Sequence, residues 1–177
     1  SGYVSNNYAT YSLAGGAPAT GADDVESPIP TKFIKVAQGF IVQMRTAAPT
    51  GNTPDFGILK FDNSIRSNDS SSYFYNNNKN AESQLNRYWV KLVSPNNVVN
   101  TILLAHIEGA TNGYDPDYDS ELLTVADDSF YSKLTTQKLQ IQARNNPLFS
   151  GDVIQLGTKY SVNGVYKIKL GNKEGVF

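Results

Sequence analysis

The chain has 177 residues and a formal net charge of −1, which suits one domain with a sizeable core and excludes the basic surface of a nucleic-acid-binding protein. It contains no cysteine, so disulfides, thiolate metal sites and a cysteine nucleophile are excluded. No apolar run reaches the ~18 residues of a membrane-spanning helix. Eleven tyrosines and a single methionine favour a polar, extracellular β-protein.

Strand patterns follow one another along the chain. Four segments alternate apolar and polar residues with period 2, as strands with one solvent-facing side do; they are 40–45, 88–93, 138–144 and 166–170. Residues 98–107 are almost continuously apolar, which predicts a central strand. Shorter candidates are 8–13, 32–37, 56–62, 72–75 and 152–156. Segments rich in glycine, proline, serine and asparagine separate them and predict loops.

Many short strands with frequent turns predict an all-β fold, an antiparallel β-sandwich of the jelly-roll kind, with residues 1–177 as a single domain. Two packed sheets would bury the apolar side of each strand between them. The residues expected to be buried in this way are Leu92, Leu104, Leu139, Ile141, Ile168 and Leu170.

The most informative segment is the end of the central strand and the loop that follows, which we call the acidic loop (residues 109–119). Asp115, Asp117 and Asp119 alternate along it, and their carboxylates could supply the oxygen ligands that calcium prefers. The loop lacks the glycine and the glutamate of an EF-hand. The alternative is that these aspartates cap turns through their side chains. Calcium is the only cofactor that the sequence suggests.

Aromatic residues are the other candidates for ligand binding. Tyr114 and Tyr118 flank the aspartates, and a loop can leave their rings exposed for stacking on sugars. His106 lies within the apolar central strand and has no second histidine or cysteine nearby to complete a zinc site. No nucleophile-elbow motif is present. The sequence therefore predicts no catalytic residue, and it predicts a half-buried, structural His106.

Nine phrases in order along the chain resemble one protein family. Among them are YATYSLAGG (8–16), IPTKFIKVAQGFIVQ (29–43), LLAHIEGATNGYDPDYD (103–119) and YKIKLGNKEGVF (166–177). The chain resembles the β-domain that precedes the C-terminal sorting domain in substrates of the type IX secretion system, which are secreted and surface proteins of gliding and related Bacteroidota. The earlier family segments and the sorting domain are not in this chain.

The resemblance implies export to the outer cell surface or the medium, and partners in the secretion and surface-attachment machinery. It brings no catalytic motif. The expected function is that of a non-catalytic structural or adhesive module, and the alternative is a carbohydrate-binding module, with or without calcium. Either function fits a glycan or surface ligand, and neither involves nucleic acid or a membrane span.

Overall fold

The computed structural model describes residues 8–22, 28–34, 38–43, 59–66, 85–123, 128–147 and 150–176. The strands in these ranges are β1 (Thr10–Ser12), β2 (Gly15–Ala17), β3 (Gly21–Ala22), β4 (Asn86–Val93), β5 (Val98–Ile107), β6 (Ser120–Glu121), β7 (Ser129–Leu134), β8 (Gln137–Asn145), β9 (Gln155–Lys159) and β10 (Lys167–Glu174). One 3-10 turn, Asn63–Ile65, is the only helical element among the described residues.

The strands form one large curled sheet and one small hairpin. The large sheet has the order β10-β4-β5-β8-β7-β9, with β3 beside β5 and β6 beside β8, while β1 pairs with β2 alone. The β5–β8 pairing is parallel, and every other pairing is antiparallel. The prediction of an all-β fold is confirmed, and the jelly-roll arrangement stays a prediction. In the described ranges, no helix is long and apolar enough to cross a membrane.

The central strand β5 carries a core on each of its faces. Nine of its ten residues are buried, as its continuously apolar sequence predicts. On one face a core is built around Trp89 and Leu103; its members are Ala14, Ala17, Trp89, Leu103, Ala105, Ile107, Ala110, Ile141 and Ala143. On the other face a second core contains Val90, Leu92, Ile102, Leu104 and Phe130. Phe130 belongs to β7, so the curl of the sheet brings β7 over this second face.

The β1–β2 hairpin covers the core around Trp89. The Trp89 indole donates a hydrogen bond to the Gly16 carbonyl at 2.8 Å. Arg87 donates to the Ala14 carbonyl at 3.1 Å, and it also pairs with Glu174 at 2.9 Å. Position 16 has to be glycine, because a Cβ there would lie 2.1 Å from the Pro30 carbonyl oxygen. These contacts fix the hairpin to the middle of the sheet.

The sequence predicts the positions of the long central strands correctly, and it wrongly predicts buried side chains on the edge strand β10. The predicted strands at 88–93, 98–107 and 138–144 are found as β4, β5 and β8, and Leu92, Leu104, Leu139 and Ile141 are buried. The predicted burial of Ile168 and Leu170 is wrong, since these side chains of β10 are 62% and 65% exposed.

The reason for that error is the position of β10 at an edge of the sheet. Ile168 pairs across strands with buried Leu92, and Leu170 pairs with Val90. Both side chains therefore lie on the face of the second core, beyond the reach of β7. The predicted strand at 40–45 is likewise absent from residues 40–43, and 44–45 lie outside the described residues.

Candidate functional site

The acidic loop begins where β5 ends in a tight turn. Gly109 has a φ of +88°, a left-handed conformation that glycine adopts without strain, and the Ala110 amide donates to the Ile107 carbonyl at 3.1 Å. The chain thus turns away from β5 immediately. The three candidate aspartates follow on a loop whose shape their own side chains determine.

Asp115 closes the first half of the loop. Its carboxylate accepts a hydrogen bond from the Thr111 amide at 2.6 Å and from the Thr111 hydroxyl at 3.1 Å. Its carbonyl oxygen accepts from the amides of Tyr118 at 3.0 Å and Asp119 at 2.7 Å. Side-chain bonds of this kind, from a carboxylate to a nearby amide, stabilise turns. Asp115 therefore works as a capping residue.

Asp119 fastens the loop to the sheet. Its side chain is buried, at 4% exposure. One carboxylate oxygen accepts from the Asp115 amide and the other from the Ala143 amide of β8, each at 2.7 Å. Burial raises the pKa of Asp119 to about 6, and the two amide donors and the charge of Arg144 offset only part of that effect. Both oxygens are engaged by backbone, which is the arrangement of a structural carboxylate.

The loop is also bonded to the N-terminal hairpin. The Leu13 amide donates to the Asp117 carbonyl at 3.1 Å, and the Ser12 hydroxyl donates to the Tyr118 carbonyl at 2.6 Å. The acidic loop therefore links β1 to β8. We call this set of bonds, centred on Asp115 and Asp119, the loop clasp.

The two tyrosines predicted to bind ligand have different surroundings. Tyr118 is half-buried and packs against the core around Trp89, so its ring serves the fold. Tyr114 is also half-buried, and its pKa is raised mainly by burial, with smaller effects from the charges of Glu121 and Asp119. Tyr114 has the weaker ties to the core and remains the better binding candidate of the pair.

The prediction that Asp115, Asp117 and Asp119 bind calcium stays a prediction. Across the described residues, which include the whole acidic loop, no group of three or more His, Cys, Asp or Glu side chains could hold a metal ion. The carboxylates of Asp115 and Asp119 already accept bonds from amides, and Asp117 is exposed. A calcium ion would have to compete with those amides for the same oxygens.

A second polar group lies in the sheet near the end of β5. His106 is 1% exposed and stacks on Tyr88 with a centroid distance of 6.2 Å and an interplanar angle of 18°. Its Nδ1 lies 3.3 Å from the Asn145 carbonyl oxygen. Its cross-strand neighbour Arg144 makes a two-bond ion pair with Asp152. His106 is more buried than the half-buried residue that the sequence predicts, and its Nε2 has no hydrogen-bond partner among the described residues.

The polar contacts of the sheet join separate segments of the chain, 87 residues apart for Arg87 and Glu174 and eight for Arg144 and Asp152, and sequence patterns could not reveal them. Arg87 meets Glu174, and Arg144 meets Asp152. For the hairpin, by contrast, a signal is present in the sequence, since Trp89 lies on the face of its strand opposite Tyr88 and so indicates cover on both sides. Its indole does lie under the hairpin.

Taken together, the fold and the loop clasp define an all-β domain in which the carboxylates of Asp115 and Asp119 accept hydrogen bonds from backbone amides. The family model for DUF8693, described as a domain of unknown function, matches residues 1–177, and the chain belongs to that family. No curated protein and no solved structure matches the chain.

Proposed function

We propose that this domain is a non-catalytic structural or adhesive module of an exported cell-surface protein of the type IX secretion kind. The observation that supports a structural role is the loop clasp. Its carboxylates could have carried chemistry or held an ion, and they accept bonds from the amides of Thr111, Asp115 and Ala143 instead. The proposal of export rests on the ordered resemblance described for the sequence.

Location is tested in a Bacteroidota strain that carries the gene, by brief protease treatment of whole cells followed by mass spectrometry of the released peptides. Peptides of this chain are expected from wild-type cells and not from a strain whose type IX system is inactivated. Equal release from both strains, or release only after lysis, would overturn the proposed route of export.

A second candidate, a carbohydrate-binding module, is favoured by one observation. Tyr160 is 62% exposed, and its ring lies 5.8 Å from that of Tyr166 at an interplanar angle of 54°. Asp128 lies beside this pair and accepts from the Ser161 amide at 2.6 Å. An exposed aromatic ring next to a polar group is a chemistry that recognises sugars, whose C–H faces are apolar.

A glycan array, probed with the purified chain in calcium and again in chelator, separates the two candidates. A structural module gives no saturable binding in either condition. Saturable binding that Tyr160→Ala removes and Tyr114→Ala retains would establish the carbohydrate-binding function at the Tyr160 pair. The reverse pattern would locate the site at the acidic loop. In a separate assay for released reducing sugar, turnover of a polysaccharide would contradict the non-catalytic proposal.

A further inference from the structure

Two Asn-Gly dipeptides occur in the chain, Asn112–Gly113 in the acidic loop and Asn163–Gly164 in the loop between β9 and β10. Such a dipeptide can modify itself, because glycine has no Cβ to shield its backbone nitrogen from the asparagine side chain before it. All four residues are exposed, so water reaches both dipeptides. The two differ in what holds the glycine amide.

In the acidic loop the glycine amide is engaged. The Gly113 amide donates to the Thr111 hydroxyl at 3.0 Å, and that hydroxyl lies 3.1 Å from each carboxylate oxygen of Asp115. An amide nitrogen that donates a hydrogen bond is held in place and keeps its proton. The loop clasp therefore opposes attack by this nitrogen on the Asn112 side chain.

In the loop between β9 and β10 the glycine amide is not engaged. Among the described residues, neither the Gly164 amide nor the Asn163 side chain makes a hydrogen bond. Gly164 has a φ of +151°, and a Cβ there would lie 2.5 Å from the Cγ of Pro95, so position 164 requires glycine. The fold thus gives Asn163 its least hindered neighbour and leaves the nitrogen of that neighbour uncommitted.

We propose that Asn163–Gly164 is a site of spontaneous deamidation in the folded protein. The Gly164 nitrogen forms a bond to Cγ of Asn163, the bond from Cγ to Nδ2 breaks, and Nδ2 leaves as ammonia with the proton of the Gly164 amide. The product is a cyclic succinimide. Water then opens the ring at either carbonyl carbon, which gives aspartate or isoaspartate without any oxidant or reductant.

The modification changes the segment that holds the Tyr160–Tyr166 pair. The Tyr166 hydroxyl donates to the carbonyl of Val162, the residue before Asn163, at 3.2 Å, and it lies 3.4 Å from the Asp128 carboxylate. Deamidation adds a negative charge to this segment, and isoaspartate also lengthens the backbone by one atom. The inference goes beyond the proposed function, since the reaction needs only water and no ligand or partner.

The rates are measured on the purified, folded chain in a mildly alkaline buffer made with water enriched in heavy oxygen. Ring opening places heavy oxygen in the product, so peptide mapping by mass spectrometry separates this reaction from deamidation during digestion. Asn163 is expected to react about five-fold faster than Asn112, the factor that corresponds to a net hydrogen bond of ~1 kcal/mol at Gly113. Equal rates, or a faster reaction at Asn112, would overturn the proposal.

The same measurement in concentrated urea is the control for the fold. Without the Thr111 bond, the two dipeptides are expected to react at similar rates. A difference that persists in urea would assign it to the neighbouring residues in the sequence and would overturn the structural argument. Product at Asn163 in urea, with none in the folded chain, would show that the fold protects this residue and would also overturn the proposal.

Two variants test the individual groups. Thr111→Val removes the hydroxyl acceptor and keeps the branched shape, so the rate at Asn112 should rise toward that at Asn163, whose own rate is the internal reference. Asn163→Gln lengthens the side chain and disfavours ring closure, so the acidic form of the folded protein seen by isoelectric focusing should largely disappear. An unchanged rate at Asn112 in the first variant, or an undiminished acidic form in the second, would contradict the proposal.

Discussion

Replacement of Asp119 by asparagine tests the central residue of the loop clasp. Burial raises the pKa of Asp119 from 3.8 to about 6, so the folded protein binds this proton more tightly than the unfolded chain does. The stability contributed by the group is therefore fully present below pH 3.8 and is lost as pH rises through about 6. At roughly 1.4 kcal/mol for each pKa unit, the loss amounts to about 3 kcal/mol.

Asparagine is neutral at every pH, as the protonated form of Asp119 is, but its amide nitrogen cannot accept a hydrogen bond. One of the two backbone amides that Asp119 binds therefore loses its acceptor, at a cost that does not change with pH. The free energy of unfolding of Asp119→Asn, relative to that of the wild type, should therefore rise by about 3 kcal/mol between pH ~4 and pH ~7.5, whatever the fixed cost of the lost hydrogen bond. The difference between the two proteins isolates this group from every other titration. Urea unfolding at intervals of about one pH unit, followed by the fluorescence of the single, buried Trp89, measures it.

The matched control is Asp117→Asn, which removes a charge from an exposed position of the same loop. Its stability curve should run parallel to that of the wild type. If the stability difference between the wild type and Asp119→Asn stays constant with pH, or changes in favour of the wild type as pH rises, the reasoning is refuted. In that case the two amide donors would outweigh the cost of burying the charge.

Trp89→Phe keeps an aromatic ring at this position and removes the indole bond to the Gly16 carbonyl. The free energy of unfolding should fall by about 1–3 kcal/mol, measured by urea unfolding followed by circular dichroism. An unchanged free energy would show that the indole bond is not needed to hold the hairpin. Gly16→Ala should lower the melting temperature by several degrees, because its Cβ would lie 2.1 Å from the Pro30 carbonyl oxygen; an unchanged melting temperature would mean that the hairpin moves freely. Asp152→Ala leaves the buried Arg144 without its carboxylate and should cost about 3 kcal/mol, whereas a neutral effect in calorimetry would show that the ion pair is replaceable. Millimolar calcium should leave the melting temperature unchanged, and a rise that Asp117→Ala abolishes would establish a calcium site in the acidic loop.

Strand positions were readable from the sequence wherever a strand was long and its burial was uniform. Residues 98–107 were predicted as a strand with the same bounds that β5 has in the structure, because continuous apolar sequence marks a strand covered on both faces. The alternation at 166–170 correctly indicated a strand and correctly separated Ile168 from Lys167. It could not indicate whether anything packs on the apolar side, because cover depends on the order of strands in the sheet.

The acidic loop illustrates the same limit at a candidate site. The sequence predicts that this loop follows the central strand. It also offers a turn-forming role for Asp115 as one of two interpretations. The bond between Asp119 and the Ala143 amide could not be predicted, since it joins the end of the loop to strand β8, 24 residues further along the chain. The presence of three aspartates suggests a calcium site. The positions of the Thr111, Asp115 and Ala143 amides, which only the structure shows, indicate that two of these carboxylates hold the loop in place.

The pairing of β5 has a consequence for the order of folding. Its partners are drawn from both sides along the chain: Gly21 pairs with Val99, and Ile141 pairs with Leu103 in parallel. The central strand therefore completes its ladder only when residues separated by most of the domain have come together. Closing such long loops costs conformational entropy before the contacts that stabilise them have formed. Folds of this kind therefore assemble in milliseconds to seconds. In a chain that emerges slowly from a ribosome or a translocation channel, β5 could pair with the preceding β4, but its other edge would lack β8 until residue 145 had appeared. This is the period in which the most apolar strand is most exposed to aggregation or to capture by a chaperone.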